Sequence, residues 1–202
     1  ILLSALLVIG YLLTAKWLRG MGIAGAVMCV AGIILVITAP SLLAQPQAVP
    51  VILSNPLLLL HVPLVLLAYL SFALAAVGSA MYLIISDLLK ARRPVALSPQ
   101  LPTLGSLERF TYRMTQSGFV LLTVGIIIGM VWSHQVWGML VPKSPKLIMA
   151  LVAWVMYGIY FHLWYARKSR GRICVWLLVV NFIIIIIGLL VPVVTNGPHK
   201  FI

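Results

Sequence analysis

The sequence predicts an all-α fold, a polytopic bundle of transmembrane helices, and three observations predict it. Of 202 residues, 63% are hydrophobic and only 8% charged, with a mean hydropathy of +1.19. A water-facing surface takes about 25% charged residues, so a soluble globular enzyme is excluded. Six apolar stretches reach or approach the roughly 20 residues that cross a ~30 Å hydrocarbon layer as a helix. Finally, the 14 Lys and Arg outnumber the 2 acids, giving a formal net charge of +12, yet they fall in short clusters between the apolar runs. A nucleic-acid binder would gather them on one wettable face; clusters between spans are the positive-inside pattern of a membrane protein.

The six spans fall at about 1–15, 21–39, 62–85, 116–133, 148–166 and 174–194, and together make residues 1–202 a single integral membrane domain. The chain opens Ile1-Leu2-Leu3, already apolar and without the basic stretch that precedes the apolar region of a signal peptide. The first span is therefore expected to be cut short and the chain to be N-terminally incomplete. Residues 40–56 carry Pro40, Pro46, Pro50 and Pro56 and no charge, which predicts an irregular external segment. His61 opens the third span, and Pro63 is accommodated there because a first-turn N–H has no intrahelical partner. The stretch 87–106, broken by Pro94, Pro99 and Pro102, is the longest polar loop. Ser106 is the expected cap of the helix that follows, with Glu108 in its first turn, where the helix dipole favours an acid. Gly125 and Gly129 form a GxxxG pair suited to close helix packing.

Orientation follows from charge. Lys16 and Arg19, then Lys90, Arg92, Arg93, Arg109 and Arg113, then Arg167, Lys168, Arg170 and Arg172 occupy alternate loops, accompanied by Asp87 and Glu108. Those loops are assigned to the cytoplasm, 87–106 among them, which places both termini outside. Lys143, Lys146 and Lys200 are the cations of the outer face.

With both acids at the cytoplasmic edge, a paired-carboxylate hydrolase and an intramembrane carboxylate relay lack raw material. Secondary transport is disfavoured because no span has an obvious midplane break. Cys29 and Cys174 form neither CxxC nor CxxCH, which disfavours thiol redox chemistry and covalent haem attachment. Histidine remains. His61, His134 and His199 share the outer face, whereas His162 lies about 14 residues into the fifth span, ~21 Å at 1.5 Å per residue, in the cytoplasmic half. Two outer histidines suit axial ligation of six-coordinate haem, and zinc is weaker because a third and fourth ligand are not nearby. Plainer roles compete: His134 beside Trp132 and Trp137 fits an interfacial aromatic belt, and His162 among Tyr160, Trp164 and Tyr165 fits helix packing.

The order of features is more specific than any one of them. His61-Val62-Pro63 with Tyr69, then LERFTYRMTQSGFVLLTVGIIIGMVW over 107–132, then Trp137-Gly138, then LVAWVMYGIYFH ending at His162, and a terminal Pro198-His199-Lys200-Phe201 resemble the cytochrome c assembly family. These are haem-handling membrane proteins of the CcsA, CcmC and HemX types. The similarity runs from about residue 57 to the end. Of the family's tryptophan-rich motif the chain keeps Trp137, Gly138, Pro145, Lys146, Ala150 and Leu151. Three tryptophans are replaced by Val141, Lys143 and Met149, an acid by Ser144 and a glutamate by Leu147. Loss of that flat, polarizable surface weakens or changes external haem holding and makes HemX-like members the closer match.

The resemblance implies a protein that holds or presents b-type, non-covalent haem without transforming it, and so more a carrier or assembly factor than an enzyme. His61 and His199 match the family's external ligand pair, and His162 its embedded histidine, whose partner is expected upstream of this chain. Trp137 lines the outer site. Lys143, Lys146 and Lys200 suit a clamp on the anionic propionates, and equally suit lipid headgroups. Implied partners are membrane lipid, other membrane subunits and an apocytochrome c bearing CxxCH, with no nucleic acid. The implied location is the bacterial plasma membrane or an equivalent energy-transducing membrane. The alternative is a degenerate, non-catalytic member serving as a structural or regulatory subunit of a respiratory or haem-synthesis complex.

Overall fold

The computed structural model describes residues 55–92, 101–140, 145–166 and 172–195. The expected spans at 1–15 and 21–39, nearly all of the segment 40–56, and the centre of the loop 87–106 lie outside the described residues. The described residues form four α-helices: α1 (Pro56–Lys90), α2 (Leu104–Trp137), α3 (Pro145–Ala166) and α4 (Arg172–Thr195). Each contains one of the last four expected spans and runs past it at one end or both. By length and composition α1, α2 and the Leu147–Tyr165 stretch of α3 suffice to cross a membrane; the described apolar part of α4, Arg172–Gly188, is shorter.

Two helix starts differ from expectation, both for local reasons. α1 begins at Pro56, not at His61, because the Asn55 side chain caps it, its Oδ1 accepting the Leu57 N–H at 2.9 Å, and Pro56 is preset for the first helical position. His61 is therefore in the second turn, and Pro63 lies inside the helix rather than in the first turn. α2 is capped by Thr103, not Ser106: Thr103 is extended (φ −68°, ψ 150°) and its Oγ1 accepts the Ser106 N–H at 3.2 Å. The first turn then holds no acid, and Glu108 falls one turn later. The loop expected at 87–106 is shortened from both sides, since Asp87–Lys90 and Leu104–Ser106 are helical. At its far end α2 stops at Gly138, whose φ of 68° is the left-handed conformation glycine adopts freely and whose N–H reaches the His134 carbonyl at 2.9 Å.

The helices form a ring in the order α1, α2, α3, α4, with each neighbour antiparallel, an up-down-up-down bundle. The register of α1 on α2 can be read from its closest approaches: Gly78 meets Phe110 and Thr111, Phe72 meets Gly118, Val65 meets Gly125 and His61 meets Gly129. At one end Arg172 of α4 grips Asp87 of α1 through both terminal guanidinium nitrogens, Nη2 lying 3.0 Å from Oδ2. That end also carries Lys90, Arg92, Arg109 and Arg113, so it is the basic end; His61 lies at the opposite one.

Outside, the bundle is apolar, with Val120 57%, Ile127 56% and Ile183 50% exposed. Such a surface is at rest against lipid, not water. Lipid also removes the hydrophobic drive for helix association, so shape must supply it. Here Phe72 fills the notch left by Gly118 and stacks on Tyr157 of α3 at 3.8 Å between centroids. Aromatic pairs of this kind contribute about 0.5–1.5 kcal/mol beyond the area they bury. Polar groups inside are mostly consumed locally: the hydroxyls of Ser71, Thr115 and Thr123 donate to the carbonyls one turn back at 2.7–2.8 Å. Thr123 Oγ1 in turn accepts the Trp154 indole N–H at 2.9 Å, tying α2 to α3.

Candidate functional site

The end of the bundle opposite the basic one is built by the first turns of α1 and the last turns of α2. His61, half-buried, projects from α1 onto α2, where its Nδ1 is 2.8 Å from the Gly125 carbonyl oxygen. A carbonyl only accepts, so the ring nitrogen carries the proton and donates. In a neutral imidazole the other nitrogen, Nε2, is then unprotonated and has a lone pair for a metal. The ring rests against Gly129, where an added Cβ would come within 2.7 Å of Cε1. Gly125 and Gly129 are spaced as a helix-packing motif, and one of the things they pack is this histidine.

One turn beyond Gly129, Trp132 meets Trp137 edge to face, with centroids 5.0 Å apart. The Trp132 indole N–H is buried without a hydrogen-bond partner among the described residues. Trp137, the last residue of α2, is 54% exposed and offers an apolar ring at the rim. Ser133 Oγ donates to the Met139 carbonyl at 2.7 Å, folding the chain after Gly138 back over the helix end. His134, next in sequence to the buried Ser133, is exposed.

His162 is elsewhere. It is exposed on α3, while the neighbouring Tyr157 and Tyr160 are buried, so it takes no part in the aromatic packing its sequence context suggests. Nearby Tyr165 reaches Tyr112 of α2 with its hydroxyl at 3.2 Å, which places this part of α3 towards the basic end. His61 and His162 therefore occupy opposite halves of the bundle. His199, Lys143 and Lys200 lie outside the described residues, as does the side chain of Lys146. Among the described residues there is no cluster of three His, Cys, Asp or Glu that would hold a metal ion on side chains alone. One oriented imidazole would suit a haem iron, whose porphyrin supplies most of its ligands.

A model described as "Cytochrome C assembly protein" matches residues 1–199. The chain belongs to that family. Similar curated proteins include Protein HemX of Brevibacillus brevis, 34% identical over 124 residues, which is 61% of this chain and 46% of HemX. Cytochrome c biogenesis protein CcsA of Picosynechococcus sp. is 33% identical over 126 residues, 61% of this chain and 37% of that protein. CcsA of a Synechocystis strain is 39% identical over 79 residues, 39% of this chain and 24% of its own length. The chain thus spans less than half the length of these relatives. No solved structure matches it.

Two contacts of this family member are not evident from its sequence. One is the Gly125 carbonyl as the partner of His61; both residues stand out in the sequence, but nothing local connects positions 64 apart. The other is Asn181, 1% exposed in the middle of α4, whose Nδ2 donates to the Ala153 carbonyl at 3.3 Å. Its signal was available: it is the lone amide within the apolar run VVNFIIIII.

Proposed function

We propose that this protein is a multi-pass membrane protein that holds and presents haem during cytochrome c biogenesis, without chemically transforming it. Family membership supports the haem-handling class, and the orientation of His61 carries the assignment of a site. An imidazole whose Nδ1–H is committed to a backbone carbonyl is held in the tautomer that ligates through Nε2, the arrangement typical of metal-binding histidines. His61 and His199 would hold the iron of a non-covalent, b-type haem at the outer face. Trp137 supplies apolar surface beside it, and Lys143, Lys146 and Lys200 pair with its propionates. His162, in the other half of the bundle, belongs to a separate inner site.

Haem would supply the reactive iron; the chain's own residues orient it, keep it at the membrane surface and offer it to an apocytochrome, which brings the thiols. The reading includes six spans, both termini outside, and a bacterial plasma membrane or its energy-transducing equivalent. The test is a titration of the purified full chain, in lipid nanodiscs, with ferric haem. The wild type is expected to give the low-spin spectrum of nitrogen-ligated iron, weakened or converted to high spin in His61→Ala and in His199→Ala. An unchanged spectrum in both variants would overturn the outer site. Copurification with a stable membrane partner in the absence of any haem binding would favour a structural subunit instead.

A further inference from the structure

We propose that Gly125 and Gly129 are positioning residues for His61, the Gly125 carbonyl setting the ring's tautomer and the bare Cα of Gly129 setting its place. The consequence for haem rests on the reading of His61 as a ligand; the seat itself does not. The usual role of a GxxxG pair is to let two helix backbones approach. The two glycines differ here in what they make room for. A Cβ on Gly125 would strike the side chain of Val65 at 2.8 Å, so the space there is filled by packing of α1 on α2. A Cβ on Gly129 would have His61 as its three nearest neighbours, with Cε1 at 2.7 Å, Nδ1 at 3.0 Å and Nε2 at 3.6 Å. At Gly129, then, the space is occupied by imidazole and not by helix.

The geometry makes the two functions inseparable. With its Cε1–Nδ1 edge nearest Gly129, the ring places Nδ1 2.8 Å from the Gly125 carbonyl. A methyl group at 129 forces the ring to move, because contacts below 3.0 Å essentially never occur at real Cβ atoms, and the Nδ1 hydrogen bond is what that move gives up. Without that hydrogen bond the broad, nearly two-fold χ2 of histidine is free to turn, and the proton is no longer confined to Nδ1. A ligand that must be reoriented on each binding event binds more weakly than one already placed. Partners that orient a ligating histidine typically contribute 10–100-fold in metal affinity, which sets the size of the expected effect.

The test compares Gly129→Ala with Gly118→Ala, a packing glycine on the same helix seam whose Cβ would strike Phe72 instead. Nitrogen-15 NMR of the haem-free full chain, labelled at histidine and with His61 assigned by its loss in His61→Ala, reads the tautomer directly. The wild type and Gly118→Ala should show His61 protonated at Nδ1 and bare at Nε2, and Gly129→Ala a mixture. In ferric haem titrations Gly129→Ala should lose about 10-fold or more in affinity, Gly118→Ala much less, and added imidazole should restore the low-spin spectrum of Gly129→Ala. An unaltered His61 tautomer in Gly129→Ala overturns the proposal, as does an equal loss in Gly118→Ala across both readouts. If His61→Ala leaves haem binding intact, the haem reading fails on its own, while the nitrogen shifts still decide the seat.

Discussion

The Phe72 ring of α1 occupies the space that a side chain on Gly118 of α2 would fill: an added Cβ would lie 2.7 Å from its Cε1. Retreat is blocked from behind, because Tyr157 stacks on the same ring at 3.8 Å with its plane tilted by 8°. Gly118→Ala should therefore destabilise the bundle by about 1–3 kcal/mol, the usual cost of overpacking. Phe72→Leu in the same chain should recover part of that loss, a non-additivity expected of residues in contact. Thermal unfolding in detergent of the two single variants and the double variant checks both statements. Strict additivity would mean the ring is not the obstacle.

The link between α2 and α3 depends on a hydroxyl that is used twice. Thr123 Oγ1 donates to the Phe119 carbonyl and accepts the Trp154 indole N–H. Thr123→Val keeps the volume and removes the acceptor, leaving a half-buried donor unpaired at a cost of about 1–2 kcal/mol. In a Trp154→Phe background the same substitution should cost clearly less, and a double-mutant cycle on the unfolding midpoint measures the difference.

Which residue starts α2 can be checked by removing each candidate. Thr103→Ala deletes the side chain that receives the Ser106 N–H and should cost about 1 kcal/mol, the typical worth of a helix cap. Ser106→Ala removes a hydroxyl already within the first turn and should cost less. Chemical denaturation curves of the two variants rank them, and the reverse order would return the cap to Ser106.

Asn181 makes one hydrogen bond, through Nδ2, and its Oδ1 is buried without a partner among the described residues. Asn181→Asp replaces the amide donor with a buried carboxylate facing a carbonyl oxygen, a loss of several kcal/mol. Asn181→Leu removes the orphaned acceptor along with the bond and should be the milder change. Expression level and unfolding temperature of the two variants test the order.

Much of the fold is legible along the chain because membrane helices declare themselves by length and composition. The apolar runs at 62–85, 116–133 and 148–166 each lie within a helix that can cross a bilayer. Helix starts are harder, since several residues within one turn can act as the cap. Asn55-Pro56 was hidden in a run of prolines that reads as irregular, and Thr103 competes with Ser106 only three residues away. The candidate site is legible as a set of residue types and not as a place. His61 and the glycine pair are each visible, but their meeting depends on an antiparallel register that no local pattern encodes. Exposure of His162 likewise depends on which face α3 turns inward, and its flanking aromatics gave the opposite impression.

From the amino-acid order alone follow the membrane class, the helical content, the end of the bundle that is basic, and the family. These properties rest on composition, span length and motif, each read over neighbouring residues. Pairing is a different matter. In lipid, one apolar helix face is as well solvated as another, so hydrophobicity does not choose between them. The choice falls to close fits between distant positions, Phe72 in the notch of Gly118 and His61 on Gly129. It is this register that places the Nδ1 of His61 against the Gly125 carbonyl and leaves Nε2 as the nitrogen that can bind.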